Sequence, residues 1–264
     1  MTPVHVTVWD ETNGTGAPAV FVHNIFTWGS DKEYGFAAQR PLAAHHRLIL
    51  VDRRGYGGSP DTDCSDYEVD AEDLIQVIAG GAHLVGHGNG GLAAIIAASK
   101  RPDLVRSLAL IQPAAFHVAH DHPAIATMLR RVRATDSAGQ TPPTLTPEQF
   151  LYASTTGIGL PAPQATPRRL RAVATSMRER PVWEAKLHLE PLRTAPWPTL
   201  IICGTWEDAP PLYREYVGEP LIACAEALAS AVQGRLLRVP GYYPHTQEPN
   251  AVNAALSELW RRAG

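Results

Sequence analysis

Titratable side chains gather in a few short motifs of this sequence. Pro240-Gly241-Tyr242-Tyr243-Pro244-His245 ends on an imidazole, a side chain that titrates near neutral pH and so suits proton transfer. Gly204-Thr205-Trp206-Glu207-Asp208 ends on two adjacent carboxylates. Gly86-His87-Gly88-Asn89-Gly90-Gly91 is a glycine-rich turn. Asp52-Arg53-Arg54-Gly55-Tyr56-Gly57-Gly58-Ser59 joins charge to a glycine run that lets the backbone bend tightly. One further cluster, His117, His120, Asp121 and His122, has the donor types of a metal site. It falls in one loop-like stretch with no cysteine nearby, so a solvated cluster is expected and a metal is not.

Short apolar runs must hold these motifs in place. Residues 19–23, 47–52, 82–85, 107–112, 199–203 and 235–239 read as buried strands, and residues 4–9 alternate like an edge strand. Residues 91–98 read as a buried helix straight after the glycine-rich turn. Residues 250–261 read as an amphipathic terminal helix. This alternation predicts an α/β fold with a mostly parallel central sheet flanked by helices. From about residue 113 to 195 no strand signal occurs, and residues 123–135, 147–155 and 166–180 read as helices. The expected organisation is therefore a core of residues 1–112 and 196–264, interrupted by a helical lid insert at 113–195. The lid would cover the carboxyl edge of the sheet, where open α/β sheets bind ligands.

Composition narrows the function classes. The chain has 264 residues, 45% hydrophobic and 19% charged, an ordinary globular mix. With 23 basic against 26 acidic residues the net charge is -3, so no basic field exists to attract nucleic acid. No apolar run approaches the roughly 18 residues of a membrane span. The first residues have neither the basic nor the apolar region of a signal peptide. Cys64, Cys203 and Cys224 are widely spaced and odd in number, which suits neither a disulfide framework nor a zinc site. A reducing cytoplasm is the expected location. Only Lys32, Lys100 and Lys186 are lysine among the basic residues, a bias that suggests a GC-rich bacterial genome. The oligomeric state leaves no trace in the sequence.

Taken in order and in strand context, the four motifs other than the histidine cluster resemble the α/β-hydrolase superfamily over nearly the whole chain outside the helical insert. The resemblance implies an elbow Gly-x-Ser-x-Gly after a strand and a triad in the order nucleophile, acid, histidine. It assigns the histidine to His245 and the acid to Glu207, with Asp208 as the fallback. The alternative acid position, after the preceding strand, holds Gln112. At the elbow the nucleophile position is Gly88, which has no side chain to form a covalent intermediate. The family's His-Gly pair after the first buried strand reads His23-Asn24. An oxyanion hole would then draw on the backbone N–H groups of Ile25 or Phe26 and Asn89, helped by a helix N-terminus. Asn24, Trp28, His87, Trp183, Trp206, Tyr242 and Tyr243 are expected to line a largely apolar pocket. A native glycine, which relieves the strain of a positive φ, and an engineered knockout both fit position 88.

Three functions fit this reading. The first is a cofactor-independent enzyme without a serine nucleophile. His245, held by Glu207, would move a proton in a cyclisation, isomerisation, elimination or water-activated hydrolysis. Its substrate would be a small, largely apolar metabolite, with a bacterial natural product as the analogy. The second is a ligand-binding pseudoenzyme. The third is a serine ester or lactone hydrolase inactivated by serine-to-glycine substitution at position 88.

Overall fold

Runs rich in Val, Ile and Leu pair side by side because each is apolar on both faces and needs cover on both. The computed structural model describes residues 2–12, 16–137 and 145–263. Its strands are β1 (Val6–Trp9), β2 (Ala19–Val22), β3 (Leu48–Val51), β4 (Ala82–His87), β5 (Val105–Ile111), β6 (Thr199–Gly204) and β7 (Arg235–Val239). They form one sheet in the order β1-β3-β2-β4-β5-β6-β7. β1 pairs antiparallel with β3, and every other pairing is parallel.

The helices are α1 (Tyr67–Val77), α2 (Asn89–Lys100), α3 (Pro123–Ser137), α4 (Pro147–Ser154), α5 (Pro167–Ser176), α6 (Glu190–Arg193), α7 (Pro211–Tyr213), α8 (Glu219–Ala231), α9 (Pro244–Gln247) and α10 (Pro249–Ala263). The period-2 alternation of the strands divides the core between the two faces. Val20, Val22, Leu84 and Leu108 pack with Leu92 and Ile95 of α2 and Leu74 of α1. Phe21, Leu50, Val85 and Ile202 pack with Val252, Leu256 and Trp260 of α10.

α1 and α8 are absent from the sequence expectation. In α1 the buried positions include Asp70 and Asp73, which pair with Arg53 and Arg54, so charge interrupts the apolar period. α8 is entered through a π-helical turn, Arg214–Gly218, which shifts the helical register. Between β5 and β6 the described residues contribute α3–α6 and no strand. Residues 138–144 of the expected insert lie outside the described residues. α5 is tied to the core: Arg169 pairs with Asp31 at 2.5 Å, and Thr175 Oγ1 donates to the Gly55 carbonyl at 2.7 Å. Among the described residues no helix is long and apolar enough to cross a membrane.

The strand order reverses direction between β2 and β4. Their outgoing loops diverge there and leave a crevice at the carboxyl edge. Asn24 follows β2 and Gly88 follows β4, so both stand at that crevice.

Candidate functional site

Gly88 makes the turn from β4 into α2 with φ 55° and ψ -118°, a conformation that a side chain strains. Gly90, two residues on, lets α2 approach the backbone carbonyls of Val22 and His23, where a Cβ would collide. These glycines bring the start of α2 against the loop after β2. A Cβ added at Gly88 would overlap Asn24 Cγ and Oδ1 and stand 2.6 Å from Asn24 Nδ2. The Asn24 carboxamide therefore fills the space in front of Gly88. Its Oδ1 accepts the Asn89 N–H at 3.0 Å.

His23 fixes the backbone of Asn24. Its Nε2 accepts the Arg53 N–H at 3.0 Å, which leaves the proton on Nδ1 to donate to the Asn24 carbonyl at 2.6 Å. Burial lowers the His23 pKa to about 4, so the ring is neutral at pH 7.

A two-lobed cavity opens above this point. The lobes measure about 410 and 340 Å³. Asn24, Ile25, His87, Phe150, Tyr213 and Tyr243 line both. Gly88, Asn89, Ser176, Glu179 and Trp183 belong to the larger lobe, and Phe26, Tyr34, Thr155 and Ile158 to the smaller. Tyr213 and Tyr243 hydroxyls meet at 3.1 Å. Residues after β6, including Tyr216, Val217 and Leu221, share the enclosure with α3–α5, so the stretch 113–195 is not its sole cover.

The expected catalytic group is elsewhere. His245 is fully buried and lines neither lobe. Its ring packs behind His87, with centroids 4.3 Å apart, and beside Phe36 at 5.6 Å. Its Nε2 donates to the Tyr34 carbonyl at 3.3 Å, and its own carbonyl accepts from Gln39 Nε2 at 2.7 Å. Pro244 starts α9, and residue 245 packs inward against Tyr34, Phe36 and Gln39. Burial lowers the His245 pKa to about 4. The imidazole at the cavity wall is that of His87, held neutral by burial and by its histidine neighbours. Its Nδ1 is buried and has no hydrogen-bond partner among the described residues.

Glu207 and Asp208 are exposed, and neither bonds to His245. The preceding residue explains why. Trp206, at φ 62°, takes the buried place, and its Nε1 donates to Gln112 Oε1 at 2.9 Å. Gln112 Oε1 also accepts the Gly204 N–H, and Gln112 Nε2 donates to the Tyr242 carbonyl. With the indole anchored inward, the next two residues turn to solvent.

Four of the seven expected pocket aromatics and polar groups reach the cavity: Asn24, His87, Trp183 and Tyr243. Trp206 and Tyr242 pack against Tyr213 in the layer behind it. Trp28 lies under the Arg168 and Arg169 guanidinium groups, at 4.3 and 4.9 Å, and so is withdrawn from the cavity. Of the expected backbone donors, Asn89 is engaged by Asn24, and the Phe26 N–H donates to Ser176 Oγ at 3.2 Å. Ile25 lines both lobes.

Glu179 was not legible as a site residue. It lies 90 positions from Asn89 in the chain, yet its Oε2 accepts Asn89 Nδ2 at 2.7 Å. Its Oε1 pairs with Arg53, whose Nε reaches Asp70 at 2.7 Å. Burial raises the Asp70 pKa to about 6. No local motif marks Glu179, Ser176, Phe150 or Tyr213. Among the described residues no group of His, Cys, Asp and Glu could hold a metal ion; His117, His120 and His122 do not form one.

The sheet, the crevice and the strand-to-helix turn define the class. Residues 19–255 match the alpha/beta hydrolase family, and the chain belongs to it. Partial matches reach 35% identity over 113 residues with a pimeloyl-[acyl-carrier protein] methyl ester esterase of Aeromonas salmonicida, covering 42% of this chain and 43% of that protein. A 2-(acetamidomethylene)succinate hydrolase of Mesorhizobium japonicum is 38% identical over 103 residues, 37% of this chain and 36% of that protein. The alignments span less than half the length of these relatives. The fold likeness extends further. A thermophilic esterase from Thermogutta terrifontis superposes with TM-score 0.63 at 24% identity, over 100% of this chain and 96% of that one. The enol-lactonase from Burkholderia xenovorans LB400 does so with TM-score 0.59 at 18% identity, over 97% and 95%.

Proposed function

We propose that this chain is a non-covalent member of the alpha/beta hydrolase family that binds a small, largely apolar molecule in the two-lobed cavity. The single observation behind this is the Asn24 carboxamide. It occupies the space in front of Gly88 and takes up the Asn89 N–H. Gly88 offers no nucleophile, and the space beside it is filled, so an acyl-enzyme has neither attacking group nor room. The enclosure is mainly apolar, with Phe150, Val217 and Leu221 among its walls, which suits a hydrophobic ligand. α3–α5 serve as its cap. The relatives' esterase and hydrolase activities would not carry over to this chain.

A second reading rests on His87. The neutral His87 imidazole stands at the junction of the lobes and could exchange a proton with a bound substrate. This replaces His245 as the acid–base group.

One experiment separates these readings. The purified protein is incubated with a fluorophosphonate and with chromogenic esters, and followed by intact mass and absorbance. The proposal expects no adduct and no hydrolysis, together with a rise in melting temperature when apolar small molecules are added. A covalent adduct at residues 86–91 would sink it. For any ligand so found, turnover that disappears in His87→Gln favours the second reading, and unchanged ligand recovered from both proteins favours binding.

A further inference from the structure

We infer that Asn24 is the recognition group of the cavity and that it selects a ligand with a carbonyl oxygen between two apolar arms. This rests on the cavity-binding reading above and names its ligand class. The orientation of the amide follows from its neighbours. The Asn89 N–H needs an acceptor, so the Asn24 oxygen faces it. The His23 Nδ1–H holds the Asn24 carbonyl, so the residue is anchored at backbone and side chain. Asn24 Nδ2 is then turned away from Asn89, and no hydrogen bond to it is recorded among the described residues. Asn24 lines both lobes. Its two N–H groups are thus donors at the junction of two largely apolar chambers.

These donors are open to the cavity, so a ligand carbonyl can accept from them where a hydrocarbon cannot, in apolar surroundings that strengthen the bond. The junction also fixes where that oxygen must be. The lobes run off on either side, toward Trp183 and Met128 in one and Ile158 and Phe26 in the other. Each can take an apolar arm. Two of the neighbouring backbone donors are already engaged: the Asn89 N–H by Asn24 Oδ1 and the Phe26 N–H by Ser176 Oγ. The Asn24 carboxamide moves the donor function from backbone to side chain and forward into the cavity. It holds a carbonyl without offering anything to attack it.

The test compares dibenzyl ketone with 1,3-diphenylpropane, which differ only in a carbonyl against a methylene. Binding to the whole protein is read by tryptophan fluorescence, since Trp183 lines the larger lobe. Asn24→Asp keeps an oxygen for the Asn89 N–H and removes both donors. The ketone Kd is expected to rise about tenfold or more in Asn24→Asp, with the hydrocarbon Kd within about twofold. A ketone and hydrocarbon that shift together, or a ketone that does not shift, overturns the inference and leaves cavity binding standing. Failure of the native protein to bind either probe overturns both. The infrared stretch of ¹³C-labelled ketone bound to the native protein needs no variant. A shift to lower frequency than in hexane is expected, and an unshifted band overturns the inference.

Discussion

The carboxamide of Asn24 lies across the α-carbon of Gly88, with Oδ1 3.0 Å from the N–H of Asn89. The two residues are 64 positions apart in the chain, and each explains the other. Glycine at 88 makes room for the amide, and the amide satisfies the helix end that glycine leaves open.

The first prediction follows from that contact. Gly88→Ser places a side chain at φ 55° and against Asn24. The strain and collision should cost about 1–3 kcal/mol in urea unfolding. Asn24→Gly in the same chain should recover part of the loss by clearing the space. Neither protein should hydrolyse a nitrophenyl ester, because His245 lines neither lobe. Rapid hydrolysis by Gly88→Ser alone would contradict the packing described.

Buried histidines set the pH response. His23, His83 and His245 have folded pKa values lowered from 6.5 to about 4 by burial. Between those values the unfolded chain takes up protons that the folded chain refuses. Their contribution is complete above about pH 6.5 and is lost as pH falls toward 4. Asp70 has the opposite sign. Its pKa rises from 3.8 to about 6 on folding, so its contribution is lost as pH rises through that window. His46 and His87 are lowered in the same direction, so the histidines outweigh the one carboxyl, and stability should fall on acidification. In His245→Gln the slope of unfolding free energy between pH 4 and 6.5 should be smaller by up to about 1.4 kcal/mol per pH unit. Identical slopes would show that the ring titrates freely in the native state.

Arg53 is 2% exposed and serves Asp70 and Glu179 together. Arg53→Met would leave both carboxylates buried without a cation. The expected loss is about 3–5 kcal/mol, measured by urea denaturation. Asp70→Asn in the Arg53→Met background should restore part of it by removing one stranded charge. If Arg53→Met unfolds at the native midpoint, the cluster contributes nothing net.

Helices α4 and α5, which both border the cavity, should differ in local stability. α5 is joined to the core through Arg169–Asp31, Thr175–Gly55 and Ser176–Phe26. α4 meets the core loop through the edge-to-face pair Phe26–Phe150 at 5.9 Å. Hydrogen exchange followed by mass spectrometry should find α5 amides protected nearly as well as α2, and α4 amides exchanging sooner. Ligand entry would then displace α4, with α5 as the fixed wall. Faster exchange in α5 than in α4 would reverse that assignment.

Position 245 shows where sequence and structure part. Its imidazole follows a strand, a Pro-Gly turn and precedes a terminal helix, and all of these were legible. Which way the ring points was not. That depends on Pro244 starting α9 and on the carbonyl of Tyr34, 211 residues away in the chain. The same applies to Glu207, whose exposure follows from Trp206 and Gln112, 94 residues apart.

Local pattern determined the strands, the α2 and α10 helices, the glycine turn and the α/β class, because period-2 and period-3.6 spacing act between near neighbours and survive in any single stretch of chain. Tertiary structure alone decided that an amide stands before Gly88, that His87 rather than His245 faces the cavity, and that Glu179 closes the ion cluster. Those outcomes depend on burial and on partners 64 to 211 residues distant. Desolvation makes each such pairing all-or-none, and no spacing rule within a segment records it.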